Sequence, residues 1–353
     1  MKVLISGICG FVGSHLARYL LESFENISLI GMDNLARPGS ETNRAVLKRL
    51  GVELRHGDIR MASDMDALPP VEWVIDSAAQ PSVLAGRDGK TSSRQLLEHN
   101  LLGTINLLEY CRIMRAGFIL LSTSRVYSIP VLTQLPLRVD SYAFVVDKSQ
   151  QLPTGASPDG LNETFSTEAP ISLYGATKLA SEQLAQEYAA GFQMPVWINR
   201  CGVMAGAGQF GTAEQGIFSY WIHAHSTRRP LKYLGFGGQG YQVRDALHPR
   251  DLGRMVEIQL RSTAAGALLN VSGGHANSMS LAQLTSWCDQ RFGAHRPVSD
   301  GSDRPYDVPW LVLDSSKAMK TMSWRPEVNL EKILEEIAKH AKENPDWLTW
   351  CCV

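Results

Sequence analysis

Tyr174 and Lys178 stand four apart in Tyr174-Gly175-Ala176-Thr177-Lys178, a spacing that puts a phenol and an ammonium on one face of a helix. An ammonium beside a phenol favours the ionised form, so the pair suits a base that removes a hydroxyl proton near neutral pH. Such pairs also arise by chance on helix surfaces. What singles this one out is a second hydroxyl, Thr123, in Leu121-Ser122-Thr123-Ser124, placed by the preceding β-branched and apolar run at the end of a strand. Strand ends open onto the ligand crevice of an α/β sheet. Thr123, Tyr174 and Lys178 are the candidate catalytic residues.

A second signal lies at the start of the chain. Gly7-Ile8-Cys9-Gly10-Phe11-Val12-Gly13 sets three glycines between a strand and a helix, where they permit a tight turn, close backbone approach to a pyrophosphate and close helix–strand packing. The helix N-terminus then offers its N–H groups to phosphate. Gly7, Gly10, Phe11, Val12 and Gly13 are thus candidate dinucleotide contacts. Asp33 falls about 20 residues on, where a carboxylate accepts bonds from ribose hydroxyls and repels a 2′-phosphate, which favours NAD over NADP. Asn34 follows it. Arg37 is close by and reads equally as a solvated loop charge. Asp58, with Ile59 after it, is placed to meet an adenine amino group or to make a turn.

The elements that must position these groups alternate through the first third: a strand at 3–6, a helix at 11–24, and strands at 27–32, 52–55 and 73–76. That order predicts a doubly wound parallel sheet of the Rossmann type. Apolar residues at helical spacing mark 96–114, feeding a strand at 118–121. A Pro-, Gly-, Ser- and Asp-rich stretch at about 128–170 reads as an insertion beside the site. A helix at 174–190 and a strand at 196–199 complete an NAD-binding domain over 1–200. Residues 201–353 are expected to form mainly a smaller substrate-binding lobe, with some segments returning to the first domain and a last amphipathic helix near 330–342.

A chain of 353 residues exceeds one ordinary core, which fits two lobes. Lys and Arg number 34 against 35 Asp and Glu, for a net charge of −1, with no basic cluster for nucleic acid or anionic membranes. No apolar run is long enough to span a bilayer, and MKVLISG leads straight into the first strand without a targeting segment. Cys9, Cys111, Cys201, Cys288, Cys351 and Cys352 lack ligand spacing and fit reduced thiols in the cytoplasm. Cys351-Cys352-Val353 reads as a frayed tail. His223 and His225, two apart on a predicted helix, diverge, so no metal site is expected.

Together these segments resemble the extended short-chain dehydrogenase/reductase family, and the resemblance spans nearly the whole chain. It implies Tyr174 as general base, Lys178 as its activator and nicotinamide-ribose ligand, and Thr123 as the family's Ser/Thr. It further implies cofactor contacts at Ala78, Ala79, Gln80, Asn100 and Ser122, with Ser82 beside the substrate. Within the family, 34–40, 209–216, Gln242-Val243-Arg244-Asp245, Gly273-Gly274 and Asn277-Ser278 are similar to nucleotide-sugar 2-epimerases of the CDP-paratose type. Gln209, Phe210 and Gln215 are the corresponding substrate candidates, and Arg244 and Arg304 the pair expected to grip a diphosphate. Either arginine reads alternatively as a structural ion pair, Arg304 with Asp307 being the obvious one.

The expected activity is oxidation of one sugar carbon by tightly held NAD and re-reduction on the opposite face. Ser124-Arg125 stands where dehydratases of the family carry Asp-Glu and decarboxylases a Glu, which argues against both. Met204-Ala205-Gly206-Ala207-Gly208, and Val203 before it, depart from the family's usual Tyr-Gly-Pro-type segment and remove two expected polar contacts, leaving base and sugar open. Epimerisation at C4, or a non-catalytic protein that binds NAD or a nucleotide sugar, are the alternatives. A homodimer through the helices at 96–114 and 174–190 is expected, since their apolar residues cover more than one sheet-facing stripe.

Overall fold

Val3, Leu4 and Ile5 are fully buried, as an apolar run must be where helices cover both faces of a parallel sheet. The computed structural model describes residues 1–351 apart from 88, 90 and 91. In order come β1 (Lys2–Ser6), α1 (Phe11–Ser23), β2 (Ser28–Asp33), α2 (Glu41–Arg49), β3 (Glu53–His56), α3 (Ala62–Asp66), β4 (Trp73–Asp76), α4 (Ser93–Leu97), α5 (Gly103–Met114) and β5 (Gly117–Thr123). Then follow α6 (Ile129–Thr133), β6 (Leu137–Asp140), β7 (Ala143–Val146), β8 (Ala156–Ser157), β9 (Gly160–Leu161), α7 (Ser172–Phe192), β10 (Val196–Cys201), β11 (Val203–Met204) and α8 (Ile217–Ser226). The remainder is β12 (Lys232–Leu234), β13 (Val243–Leu247), α9 (Pro249–Arg261), β14 (Leu268–Val271), β15 (Ser278–Ser280), α10 (Leu281–Phe292), β16 (Val298–Asp300), β17 (Trp310–Leu311), α11 (Ser316–Met322), α12 (Leu330–Glu343) and α13 (Trp347–Cys351).

The chain divides into two compact units, the first made of 1–126, 173–200 and 249–269. Its sheet has the order β3-β2-β1-β4-β5-β10-β14, and β3, β2, β1, β4 and β5 pair parallel. Chain direction across the sheet reverses between β1 and β4, the point where such sheets bind ligand. Leu4, Ile30, Val74, Phe118, Leu120 and Ile198 lie in the core under one face. A helix not foreseen in the sequence, α9, returns to this unit and packs on α1, with Tyr19 Oη donating to Glu257 at 2.8 Å. The single helix expected over 96–114 is interrupted: between α4 and α5 the chain makes a π-turn at Glu98–Leu102. Such turns are uncommon and concentrate at functional sites.

The second unit comprises 127–172, 201–248 and the chain from 270 onward. The stretch at 128–170, expected as an insertion of the first domain, therefore belongs here, as two hairpins, β6–β7 and β8–β9, and the two units are of similar extent. β13 is central to a small sheet, flanked by β11, β15 and β17. Trp221, Ile222, Leu284, Ile333 and Ile337 from α8, α10 and α12 form the core. The helix α12 lies where periodicity predicted it but is not last. α13 follows, and Cys351, read as frayed, is buried at its end; 352 and 353 lie outside the described residues.

Candidate active site

The glycine turn and the loop after β4 meet at the β1–β4 switch point. Gly7 has φ +62°, and a Cβ there would stand 2.8 Å from Ala78 Cα, so neither side chain nor ordinary backbone fits. At Gly13 a Cβ would lie 2.4 Å from the Gly7 carbonyl oxygen, which fixes how closely α1 abuts the turn. Gly10 caps α1 without a side-chain acceptor, leaving first-turn N–H groups for an anion. Phe11 is buried against the ring of His15, and Val12 follows in the same turn. A cradle that any Cβ would fill is what a pyrophosphate requires, and the residues present fit that group.

Asp33 ends β2. Its carboxylate accepts the Cys9 N–H and the Leu35 N–H, each at 2.8 Å. Burial pushes its pKa up, opposed by those N–H groups. A small pocket is lined here by Ile8, Cys9, Asp33, Leu35, Arg44 and His56, among others. Asn34 donates to Asp58 at 3.0 Å. Burial works against the ionised Asp58, but the Arg60 guanidinium, at 2.6 Å, with the Arg60 N–H and Asn34, outweighs it and holds the carboxyl well below the usual range. Asp58 thus spends its oxygen atoms on Arg60 and Asn34. Ile59 is buried, and its carbonyl accepts from Asn106 at 2.8 Å.

The candidate catalytic groups all belong to the first unit. Thr123 is the last residue of β5, half-buried, its Oγ1 accepting the Arg125 N–H at 3.2 Å. Tyr174 and Lys178 occupy the first turns of α7; Tyr174 is 8 % exposed and Lys178 2 %. The Lys178 side chain makes no hydrogen bond or ion pair among the described residues. An ammonium left without an acceptor there fits a ligand that brings its own acceptor oxygens, as a ribose does.

Asn100 lies in the π-turn, 1 % exposed. Its Oδ1 accepts the Gln80 N–H at 2.7 Å, and its Nδ2 donates to the Gln80 carbonyl at 3.0 Å and to Thr177 Oγ1 at 3.2 Å. Thr177 in turn donates to the Tyr174 carbonyl at 2.8 Å. The side chain of Asn100 therefore braces the loop after β4 against α7. In that loop the Ala78 N–H donates to Ser6 Oγ at 3.1 Å, Ala79 follows, and Ser82 Oγ accepts the Leu84 N–H at 3.2 Å. Ser122, expected at the cofactor, donates its hydroxyl to Glu182 at 2.5 Å.

The second unit holds the substrate candidates. Gln209 Nε2 donates to the Met204 carbonyl at 2.7 Å, and Phe210 stacks on Trp347 with centroids 5.4 Å apart. Gln215 closes a tight turn, its carbonyl accepting the Thr212 N–H at 2.7 Å. Asp307 pairs with Arg244, at 2.9 Å, and not with Arg304. Arg244 is the more buried on β13; burial and the nearby Arg304 push its pKa down while Asp307 opposes them, so it is the cation that most needs the carboxylate. Its other donors go to the Val243 and Val308 carbonyls. Arg304 reaches only the Ala213 carbonyl, at 3.4 Å, among the described residues, and keeps donors for an anion. His223 meets His340 and His225 meets Asp289, and no group of three metal-ligating side chains occurs among the described residues.

Two buried networks escaped the reading of the sequence. Ser6 and Thr104 donate to the two oxygens of Asp76, at 2.9 and 2.7 Å, fixing the ends of β1 and β4. Arg200 on β10 grips Glu182 on α7 in two directions, the closest contact 2.7 Å. Glu182 repeats the four-residue interval Tyr174–Lys178 once more, a signal present in the sequence; its partner on a distant strand left none.

Residues 3–272 match the NAD dependent epimerase/dehydratase family, and the chain belongs to that family, whose cofactor is NAD. Among curated relatives, a CDP-paratose 2-epimerase from Salmonella typhi is 32 % identical over 347 residues, 93 % of this chain and 96 % of that one. A UDP-glucuronate 4-epimerase from Thermodesulfobacterium geofontis is 25 % identical, covering 97 % and 96 %. The fold is shared with UDP-glucose 4-epimerase from Bifidobacterium longum, solved with NAD+ and UDP (TM-score 0.79, 20 % identity, 98 % and 100 % covered).

Proposed function

We propose that this chain is a nucleotide-sugar epimerase of the CDP-paratose 2-epimerase kind, acting by transient oxidation of one sugar carbon. The observation that carries the reading is the buried Tyr174–Lys178 pair on α7 and Thr123 ending β5, followed by Ser124-Arg125 in place of an acid pair. Tyr174 removes the sugar hydroxyl proton and later returns it. Lys178 supplies the positive charge that favours the phenolate, and Thr123 shares the substrate oxygen with Tyr174. NAD, when bound, would supply the reversible hydride acceptor through which the configuration at that carbon can invert. Gly7, Gly10, Gly13, Asp33 and Lys178 are the residues that would hold it. With no carboxylic acid after Thr123 to protonate a leaving hydroxyl, elimination of water is disfavoured.

Arg304, with donors in hand, is assigned to the diphosphate, and Arg244 to shaping its surroundings. The similarity to a 2-epimerase of the CDP-sugar class favours C2 and a cytidine nucleotide; the same groups would serve C4, as in the 4-epimerase relatives. We place the enzyme in the cytoplasm, in keeping with its buried thiols and with the finding that no helix among the described residues is long and apolar enough to cross a membrane. We also assign it a homodimer through α5 and α7, which leave Ile113 60 % and Phe192 52 % exposed, with Leu97 and Leu102 nearby in sequence; a monomeric mass at micromolar concentration would exclude this.

The test is mass spectrometry of small molecules released on denaturation, followed by turnover of CDP-, UDP- and dTDP-hexoses in deuterated water. NAD and an epimerised product without solvent deuterium at the inverted carbon are expected. A product lacking the elements of water would make the protein a dehydratase, and solvent deuterium at that carbon would mean proton abstraction.

A further inference from the structure

Three residues far apart in the chain, Ser122 on β5, Glu182 on α7 and Arg200 on β10, meet in one buried network. Glu182, 1 % exposed, accepts the Ser122 hydroxyl on Oε1 at 2.5 Å and Arg200 Nε on both oxygens at 3.0 and 3.1 Å, with Arg200 Nη2 on Oε2 at 2.7 Å. A buried ion pair of this kind is a poor source of net stability, because desolvating two ions offsets most of their attraction. What it does supply is geometry: a carboxylate held in two directions has one rotamer, and it holds the hydroxyl of Ser122 in one place. Ser122 is joined by one peptide bond to Thr123. Glu182 lies one helical turn beyond Lys178 and two beyond Tyr174, on the same stripe of α7.

The spacing has an electrostatic side. Lys178 and Glu182 are four apart, where a lysine and a carboxylate ordinarily pair. Arg200 takes the carboxylate instead, and Lys178 keeps its charge unspent. We propose that Glu182, fixed by Arg200, is a positioning residue for the Thr123–Tyr174–Lys178 site: through Ser122 it sets the end of β5 against α7, and by engaging Arg200 it leaves the Lys178 ammonium to the phenol and the ribose. This rests on the assignment of Tyr174 as base.

The experiment compares NAD-loaded wild type with Ser122→Ala, Ser122→Thr, Arg200→Met and Tyr174→Phe, using the CDP-, UDP- and dTDP-hexoses above and NAD titration. Ser122→Ala keeps the ion pair and should fold; kcat is expected to fall roughly tenfold with KM within about twofold, as for small misplacements of reacting groups, and Ser122→Thr to restore most of it. In Arg200→Met, Glu182 is released toward Lys178, so the rise of kcat with pH should move about one unit alkaline and NAD should bind more weakly. Ser122→Ala with a lowered Tm but unchanged kcat, or an unmoved pH profile in folded Arg200→Met, would overturn the positioning role. If Tyr174→Phe is inactive while Ser122→Ala and Arg200→Met behave as wild type, the positioning role alone falls; a fully active Tyr174→Phe removes the assigned site and this inference together.

Discussion

Asn100 and Gln80 exchange two hydrogen bonds, the Gln80 N–H to Asn100 Oδ1 at 2.7 Å and Asn100 Nδ2 to the Gln80 carbonyl at 3.0 Å. One side chain thereby satisfies both main-chain groups of a residue in the loop after β4, from within the π-turn at Glu98–Leu102. Asn100→Ala would leave those groups and Thr177 Oγ1 short of partners, each worth about 1–3 kcal/mol when buried. The expected outcome is a folded protein with a lower Tm and NAD affinity reduced roughly tenfold or more, measured by titration of the cofactor-free form. Wild-type affinity would show that the brace does not shape the cofactor loop.

Tyr174→Phe removes only the phenolic oxygen. NAD should stay bound, and turnover should drop by about two to four orders of magnitude, the usual contribution of a positioned acid–base group. Rates measured per NAD-loaded enzyme check this directly.

Thr123→Val and Lys178→Met should separate orientation from charge. The first would lose the proposed hydroxyl contact to substrate while the proposed base remains, so its loss of kcat should be the smaller of the two. The second removes the ammonium assigned to both phenol and ribose, so kcat and NAD retention through gel filtration should fall together. A Lys178→Met variant that holds NAD as the wild type does would leave the ribose role without support.

At Asp33 the prediction concerns cofactor choice. The carboxylate organises the Cys9 and Leu35 N–H groups and would repel a 2′-phosphate, whereas Arg44 and His56 line the same pocket. Asp33→Ala should bind NAD less well and narrow the preference over NADP, with circular dichroism unchanged. Equal wild-type affinity for the two would show that the neighbouring Arg44 cancels the carboxylate.

Stability should respond to acid through His223. It is 1 % exposed, its Nε2 lies 3.2 Å from His340 Nδ1, and its Nδ1 has no partner among the described residues. Burial first, and the charge of His340 second, lower its pKa from 6.5 to about 3. Because the folded value lies below the unfolded one, the stabilisation is complete above about pH 6.5 and drains away as pH falls toward about 3. His225 and His340 are also lowered, chiefly by burial, and act in the same direction. Urea midpoints for His223→Gln should therefore fall less steeply over that window than those of the wild type; parallel curves would show that His223 is not the residue protonated.

Periodicity and local spacing were enough to read β1 to β5, β10, α1, α5 and α7 of the first unit, though not α2, α3, α9 or β14, because a strand period of two and a helix period of 3.6 are properties of consecutive residues. The glycine turn and the Tyr174–Lys178 interval were legible for the same reason, since each makes its geometry within one turn or one loop. The sequence did not reveal which distant group completes each pair. Asp307 sits close to Arg304 in the chain, yet the register of β13 brings it to Arg244; Ser122 was expected at the cofactor, yet α7 presents Glu182 to it. The π-turn at Asn100 and the return of α9 to α1 likewise depend on tertiary packing. A buried polar group takes whichever partner the topology delivers, because leaving it alone costs more than any local preference supplies. The sequence thus singled out the candidate reacting groups, and tertiary structure decided what holds them in place.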